Sequence, residues 1–146
     1  MRILALLAGL ALAGAVALAG DYNSRVLTVS GVTTNTIAIT TNDSKFIEGD
    51  LEFIDVIVQA GQTCTVAVVA MSNDMCGATT LFSLAAIPGG TNRYYPEHLV
   101  ENAGGTDFTD GHAPFCIVKQ KLQLQGSTMV PAVTGAVSVK VVYESE

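Results

Sequence analysis

Residues 51–70 read LEFIDVIVQAGQTCTVAVVA, and they say more about the architecture than any other stretch of the chain. Leu51 to Gln59 alternates apolar and polar side chains, with a shift of face near Phe53 that indicates a bulge or a strand buried on both sides. Ala60-Gly61-Gln62 predicts a tight turn. Thr63 to Ser72 carries an apolar run that is typical of a central strand. The stretch therefore predicts two consecutive strands.

The same pattern continues on both sides of this stretch. Turn residues separate short apolar runs at intervals of roughly 8–12 residues, a spacing typical of sandwiches. Pro88-Gly89-Gly90 is expected to end one strand, and residues 97–111 form the longest irregular stretch. The further predicted strands are 26–30, 36–41, 79–87, 93–95, 115–125 and 136–143. The fold class is therefore all-β, with residues 21–146 forming a single β-sandwich or jelly-roll-like domain of about seven to eight short antiparallel strands.

The composition excludes several classes of protein. The chain has 146 residues, with 7 Lys and Arg against 13 Asp and Glu, and a formal net charge of −6. An acidic chain repels phosphate backbones, so no nucleic-acid partner is expected. Hydrophobic residues make up 49% of the chain and charged residues only 14%, a balance that excludes an intrinsically disordered protein.

Residues 1–20 form an apolar N-terminal segment with three interpretations. Ile3 to Gly20 is an unbroken apolar run behind Arg2, and Ala17-Leu18-Ala19 is a small-x-small cleavage site, as in a signal peptide. Cleavage near Ala19 would make the domain periplasmic or secreted. A retained segment would instead be a helical arm on a neighbouring subunit, or a membrane anchor close to the short limit of about 18 residues. Membrane contact is expected only if the segment is retained.

The three cysteines leave two alternatives open. Cys64 and Cys76 could form a disulfide in an oxidising compartment, which would leave Cys116 unpaired. In the other interpretation all three are small buried hydrophobes, and Cys116 suits that role because it lies between Phe115 and Ile117.

No motif predicts catalysis or a cofactor. Asp107, Asp110 and His112 bring two carboxylates and an imidazole together in sequence, and such groups can hold a divalent metal. Their spacing does not match an EF-hand loop, so a polar turn is the favoured interpretation. The sequence lacks a Gly-x-Ser-x-Gly elbow, a Cys-x-x-Cys pair, a phosphate loop and a dinucleotide fingerprint. We therefore expect no catalytic residues and a protein that is not an enzyme.

Arg93-Tyr94-Tyr95-Pro96 is the densest cluster of large side chains. Arg and Tyr are enriched at protein interfaces, where they act as anchors, so the cluster is a candidate interface. The alternative is that a tyrosine covers the open edge of the sandwich.

From Thr36 onward the chain carries a series of short motifs in this order: Thr36 to Thr41, Leu51 to Val58, Arg93 to Pro96, Asn102 to Thr109, Phe115 to Gln125 and Gly135 to Glu144. In the order of these motifs the chain resembles the small β-sandwich virion proteins of tailed bacteriophages. Asn102 to Thr109 resembles the Ala-Gly-rich loop that follows the aromatic-proline motif in that group, and Gly135 to Glu144, ending Val-Val-Tyr-Glu, resembles its terminal strand.

The resemblance implies a structural part of the phage head, such as a decoration, cement or minor capsid protein. Its partners would be capsid or other virion subunits, arranged as a homo-oligomer or a symmetric array, and its location would be the virion. The alternative is an exported β-sandwich of the periplasm or cell surface that acts as a binding or adhesion module.

Overall fold

A computed structural model describes residues 22–34, 38–101, 107–131 and 134–145 of the chain, with only the backbone for 99–101 and 107–111. Within these ranges all regular structure is antiparallel strand. The strands are β1 Tyr22–Val32, β2 Ile39–Ala70, β3 Thr79–Tyr94, β4 Glu97–Glu101, β5 Asp107–Pro114, β6 Cys116–Val130 and β7 Gly135–Glu144. The predicted all-β fold class is confirmed. No helix in the described part of the chain is long and apolar enough to cross a membrane.

Strand β2 organises the molecule because it changes partners along its length. Residues 39–50 pair with β6, residues 50–58 pair with β7, and residues 63–70 pair with β6 again. Strand β3 follows β2 through the same bend, pairing with residues 54–58 and then with residues 63–70. The connected sheet thus folds over on itself, and β6 lies between two separate segments of one strand.

The result is a sandwich of two layers. Layer I consists of strands β1 and β7, residues 50–58 of β2 and residues 90–94 of β3. Layer II consists of strand β6, residues 39–49 and 63–70 of β2 and residues 79–88 of β3. The two layers are in direct contact at Gly126 of β6, where a Cβ would lie 3.0 Å from Val137 and 3.2 Å from Val32.

The core between the layers follows from the period-2 alternation of the strands. Alternate side chains of β2, β6 and β7 are buried while their neighbours are partly exposed. The fully buried large side chains include Leu51, Ile54, Val56, Val58, Val66, Ile87, Ile117, Leu122, Leu124 and Met129. Burial of such a side chain is worth about 1.5–3 kcal/mol, so this face of each strand fixes its register.

Glycines make the bends in β2 and β3 possible. Gly49 has φ of +132°, and a Cβ there would collide with the carbonyl oxygen of Glu144, where β2 passes from β6 to β7. At the second bend a Cβ on Gly89 would lie 2.7 Å from the carbonyl oxygen of Gln59, and Gly61 has φ of +77°. The backbones of β2 and β3 therefore approach closely at positions that only glycine can occupy.

Three local predictions were wrong. Ala60-Gly61-Gln62 is a bend inside β2 rather than a turn between strands, and Pro88-Gly89-Gly90 is a bend inside β3 rather than its end. The seven strands match the expected number, but these two are longer than the short strands predicted, with 32 residues in β2 and 16 in β3. The physical reason is that β2 and β3 bend together, so their pairing resumes with Thr63 opposite Pro88. Residues 97–111, expected to be irregular, contain β4 and the first part of β5.

The β4–β5 hairpin forms a second, two-stranded sheet beside the sandwich. The segment after β5 attaches it: the Leu51 amide donates a hydrogen bond of 2.8 Å to the carbonyl oxygen of Phe115. The Phe115 ring in turn packs against His98 of β4, with ring centroids 5.1 Å apart. The hairpin is thereby held at the end of β3, next to Tyr95 and Pro96.

Candidate functional site

The site is built around Arg93, the penultimate residue of β3, which lies opposite Asp55 of β2. The Arg93 guanidinium donates two hydrogen bonds to the Asp55 carboxylate, from Nε to Oδ1 at 2.6 Å and from Nη2 to Oδ2 at 2.8 Å. Asp55 is 7% exposed, whereas about half of the Arg93 side chain (49%) remains in solvent. This bidentate geometry fixes the guanidinium plane while about half of the side chain stays accessible.

The charges of this pair stabilise each other. Hydrogen bonding from Arg93 lowers the pKa of Asp55, with further lowering by the charges of Arg93 and Lys140, while burial opposes the shift. The same hydrogen bond raises the pKa of Arg93. Lys140 of β7 lies opposite Asp55 on the other side, so the carboxylate sits between two cations in one row across the sheet.

Two aromatic rings complete this surface. The Arg93 guanidinium carbon lies 3.8 Å from the centre of the Phe53 ring, a cation–π arrangement. The centre of the Tyr95 ring lies 6.2 Å from that of the Phe53 ring, at an interplanar angle of 58°. Tyr95 is nevertheless 67% exposed. We call Phe53, Asp55, Arg93, Tyr95 and Lys140 the Arg93 surface; it lies on the outer face of layer I.

The two tyrosines of the predicted cluster have different roles. Tyr94 packs against Phe82, with ring centroids 4.7 Å apart, and against the core. It covers the edge of the sandwich, as one interpretation of the sequence had it. Tyr95 points to solvent together with Arg93, as the interface interpretation requires, and Pro96 separates β3 from β4.

A shallow groove of about 460 Å³ extends from Tyr95 across the end of layer I. Its lining mixes aromatic, amide, hydroxyl and charged groups, a composition suited to recognition of a protein surface. The lining residues are Tyr22, Asn23, Ser24, Glu52, Phe53, Tyr95, Lys140 and Val142.

Sequence reasoning identified Arg93 and Tyr95 but missed Phe53, Asp55 and Lys140. Asp55 carried a usable signal, because it is a single charge between the apolar residues Ile54 and Val56 in a strand that has to be buried. Buried carboxylates are paired, so a cationic partner was implied. The identity of that partner depends on the β2–β3 and β2–β7 registers, which local sequence does not encode.

The possible disulfide between Cys64 and Cys76 is not formed, and both are free thiols. Cys64 is fully buried, and its thiol donates to the carbonyl oxygen of Ser127 at 3.3 Å. Burial raises the pKa of the Cys64 thiol. The predicted burial is therefore right for Cys64 and wrong for Cys116, which is exposed at the start of β6. The reason is that Ile117, the next residue, takes the inward-facing position.

The candidate metal ligands lie on β5 rather than in a polar turn. The side chains of Asp107 and Asp110 lie outside the part of the chain that the structure describes. His112 is half-exposed, and its Nδ1 lies 3.8 Å from a carboxylate oxygen of Glu97. Among the described side chains, no group of three His, Cys, Asp or Glu could hold a metal ion.

Comparison with known proteins identifies no family. No family model matches the sequence, and no curated protein matches it. The chain is similar to a crystal structure of FlhE, with 14% identity, a TM-score of 0.37, and coverage of 84% of this chain and 97% of that one. It is also similar to a Bacillus endospore appendage from a family of disulfide-linked pili, with 14% identity, a TM-score of 0.36, and coverage of 86% and 88%. Structural similarities this weak support no conclusion about function.

Proposed function

We propose that this chain is a structural protein that acts by protein–protein contact, with the Arg93 surface as its contact site. One observation carries the proposal: Arg93 is fixed by Asp55 and Phe53 before any partner binds, beside the exposed ring of Tyr95. An anchor that is already ordered loses little side-chain entropy on binding. Arg and Tyr in such a position are the residue types that dominate interface energies.

The resemblance described above suggests the kind of assembly. In this proposal the partners are capsid or other virion subunits, and the chain decorates or cements a symmetric head without catalysing a reaction. Burial of Tyr95 and the exposed face of Arg93 against each symmetry-related subunit would supply the contact, repeated by the symmetry of the shell.

The test is the composition of purified virions from a host that produces them. Mass spectrometry should detect the chain in the particles, and an Arg93→Ala/Tyr95→Ala variant should be depleted from them. Leu84→Ala is a matched control, since Leu84 is exposed (42%) on β3 but lies away from the Arg93 surface. Virions without the chain, or virions that retain the double variant at the wild-type level, contradict the proposal.

A second candidate is an exported binding or adhesion module, favoured by the apolar run Ile3 to Gly20 with its Ala17-Leu18-Ala19 site. It would use the same surface on a different partner. Mature protein that begins at Gly20 or Asp21 in a periplasmic extract supports this candidate. An intact mass that includes residues 1–19 in the native protein contradicts it.

A further inference from the structure

A second apolar site lies on the opposite side of the molecule, on the outer face of layer II. Phe46 is 60% exposed and Met75 is 72% exposed, although both are large apolar side chains. They line a cavity of about 460 Å³ that no other part of the described chain fills. The lining residues are Phe46, Met71, Ser72, Asn73, Asp74, Met75, Lys119 and Lys121. We call this the Phe46 cavity.

The cavity is ordered before anything occupies it, because two amides hold the loop that carries Met75. Asn73 donates from Nδ2 to the carbonyl oxygens of Val118 and Lys119, at 2.7 and 3.0 Å. Its Oδ1 accepts hydrogen bonds from the Met75 and Cys76 amides at 2.8 and 2.6 Å. The buried side chain of Gln120 donates to the carbonyl oxygens of Met71 and Gly77, at 3.0 and 3.1 Å. A fixed loop of this kind gives the cavity a lasting shape.

The charge of the cavity differs from that of the rest of the chain. The sequence has only four lysines; Lys119 and Lys121 line the cavity and Lys45 precedes Phe46. Lys121 Nζ lies 5.0 Å from the centre of the Phe46 ring. Asp74 also lines this cavity, and Glu48 lines the adjoining one. In a chain of net charge −6, this concentration of lysines around an apolar opening selects an occupant with an apolar side chain flanked by carboxylates.

We propose that the occupant is a second copy of this chain, which inserts Tyr95 into the Phe46 cavity. Tyr95, an exposed aromatic side chain outside the cavity, has carboxylates among its neighbours, and the charge of the adjacent Arg93 is compensated by Asp55. Lys140 lines the same groove as Tyr95 and also lies opposite Asp55. Glu52 lines the same groove as Tyr95, and Glu97, two residues further on, has a side chain that is 52% exposed. The aromatic ring of one copy would pack between Phe46 and Met75 of the next, with the two carboxylates facing the two lysines. This inference rests on the proposed function and names a partner for the same surface.

The placement of the two sites decides the kind of assembly. Phe53, which packs on Tyr95, and Phe46 both point away from the core, because their neighbours Ile54 and Ile47 are buried. They lie on layer I and layer II respectively, so the contact joins opposite sides of successive copies. Such a head-to-tail contact propagates into a chain or closes into a ring, whereas a two-fold dimer would use one patch twice.

The experiment is a charge exchange measured by sedimentation velocity on the full chain. One variant carries Lys119→Glu and Lys121→Glu, and the other carries Glu52→Lys and Glu97→Lys. Each variant alone would place like charges at every contact, so each should associate at least about tenfold more weakly than wild type, equivalent to about 1.4 kcal/mol. In a one-to-one mixture every contact again joins opposite charges, so association should return. Circular dichroism checks that both variants are folded.

The outcomes are distinct. Recovery in the mixture supports the inference, whereas no recovery, or wild-type chain that stays monomeric at all concentrations, overturns it. Phe46→Ala separates this inference from the proposed function, because it alters the cavity and leaves the Arg93 surface intact. If Phe46→Ala keeps wild-type self-association and enters particles normally while Arg93→Ala/Tyr95→Ala does not, the inference is overturned and the proposed function stands. If Phe46→Ala abolishes self-association, the inference is supported even where no virion contains the chain.

Discussion

At the scale of single residues, the pair of Asp55 and Arg93 shows how a charge is accommodated in an apolar strand. Ile54 and Val56 point into the core, so the Asp55 side chain between them points to the outer face of the sheet, where it is nevertheless buried. The bidentate guanidinium and Lys140 compensate for the lost hydration. The same compensation holds Arg93 in the conformation that a partner would meet, so structure and recognition depend on one interaction.

We predict that Asp55→Asn lowers the free energy of unfolding at pH 7 by about 1–2 kcal/mol, less than for a fully buried charged pair because half of Arg93 is in solvent. The folded-state pKa of Asp55 lies below its unfolded value, so its stabilisation is complete above about pH 4. It is lost as the pH falls through the lower folded pKa. Urea unfolding of both proteins from pH 7 to pH 2 should therefore show converging stabilities.

Glu97→Gln is the matched control for this measurement. Glu97 and His112 are both half-exposed, and their nearest polar atoms are 3.8 Å apart, so this contact should add nothing measurable to the stability. A stability gap for Asp55→Asn that stays constant down to pH 2 contradicts the pairing described here.

Cysteine reactivity gives a second prediction at this scale. Cys64 is buried and its thiol pKa is raised, whereas Cys116 is exposed. Since the thiolate is the reactive form, a maleimide at neutral pH should label Cys116 in the native protein and Cys64 only after denaturant is added. Peptide mapping of the labelled chain distinguishes the sites. Rapid native labelling of Cys64 would contradict its burial.

At the scale of elements, the long bent strand β2 depends on glycine where it changes partner. We predict that Gly49→Ala lowers the free energy of unfolding by more than about 3 kcal/mol, or prevents folding, because the new Cβ collides with the backbone of Glu144 and φ is +132°. Gly77→Ala is the control: nothing lies within 4 Å of its added Cβ, so its effect should stay within about 0.5 kcal/mol. Chemical denaturation of both variants makes the comparison, and equal stabilities contradict this account of the bend.

At the scale of the whole molecule, β6 joins the parts of layer II. Leu124 lies opposite Thr41 on one side and Val68 on the other, so it binds together two segments of β2 that are far apart in sequence. It is also fully buried. We predict that Leu124→Ala lowers the free energy of unfolding by about 2–5 kcal/mol and that Leu84→Ala, exposed on β3, changes it by less than about 0.5 kcal/mol. A cost for Leu124→Ala near that of Leu84→Ala in urea titrations contradicts a shared core.

The distribution of charge over the molecule gives a prediction about association. The proposed contact between copies joins lysines on one layer to carboxylates on the other, and salt screens exposed charges over about 10 Å at 0.1 M. Self-association should therefore weaken several-fold between 0.05 M and 0.5 M NaCl, while the apolar contact of Tyr95 leaves a residual affinity. Sedimentation velocity at both salt concentrations measures this. Association that strengthens with salt would indicate a purely apolar contact in its place.

The sequence by itself determined the all-β class and the strands of the core. Period-2 alternation is a local signal, so it identified Leu51 to Gln59, Phe115 to Gln125 and Ala136 to Tyr143 without knowledge of their partners. The sequence also identified Arg93-Tyr94-Tyr95-Pro96 as a candidate interface, because a cluster of large side chains is visible without knowledge of the fold.

Only the tertiary structure decided that the glycine-containing segments at 60–62 and 88–90 are bends within strands. A turn and a bend use the same residues, and the choice between them is made by the paired strand, whose pairing resumes beyond the bend. The tertiary structure likewise decided which tyrosine is partly buried and which cations pair with Asp55. Those contacts join residues as far apart as Asp55 and Lys140 through strand register, which results from burial of the whole core and is not encoded in any local stretch.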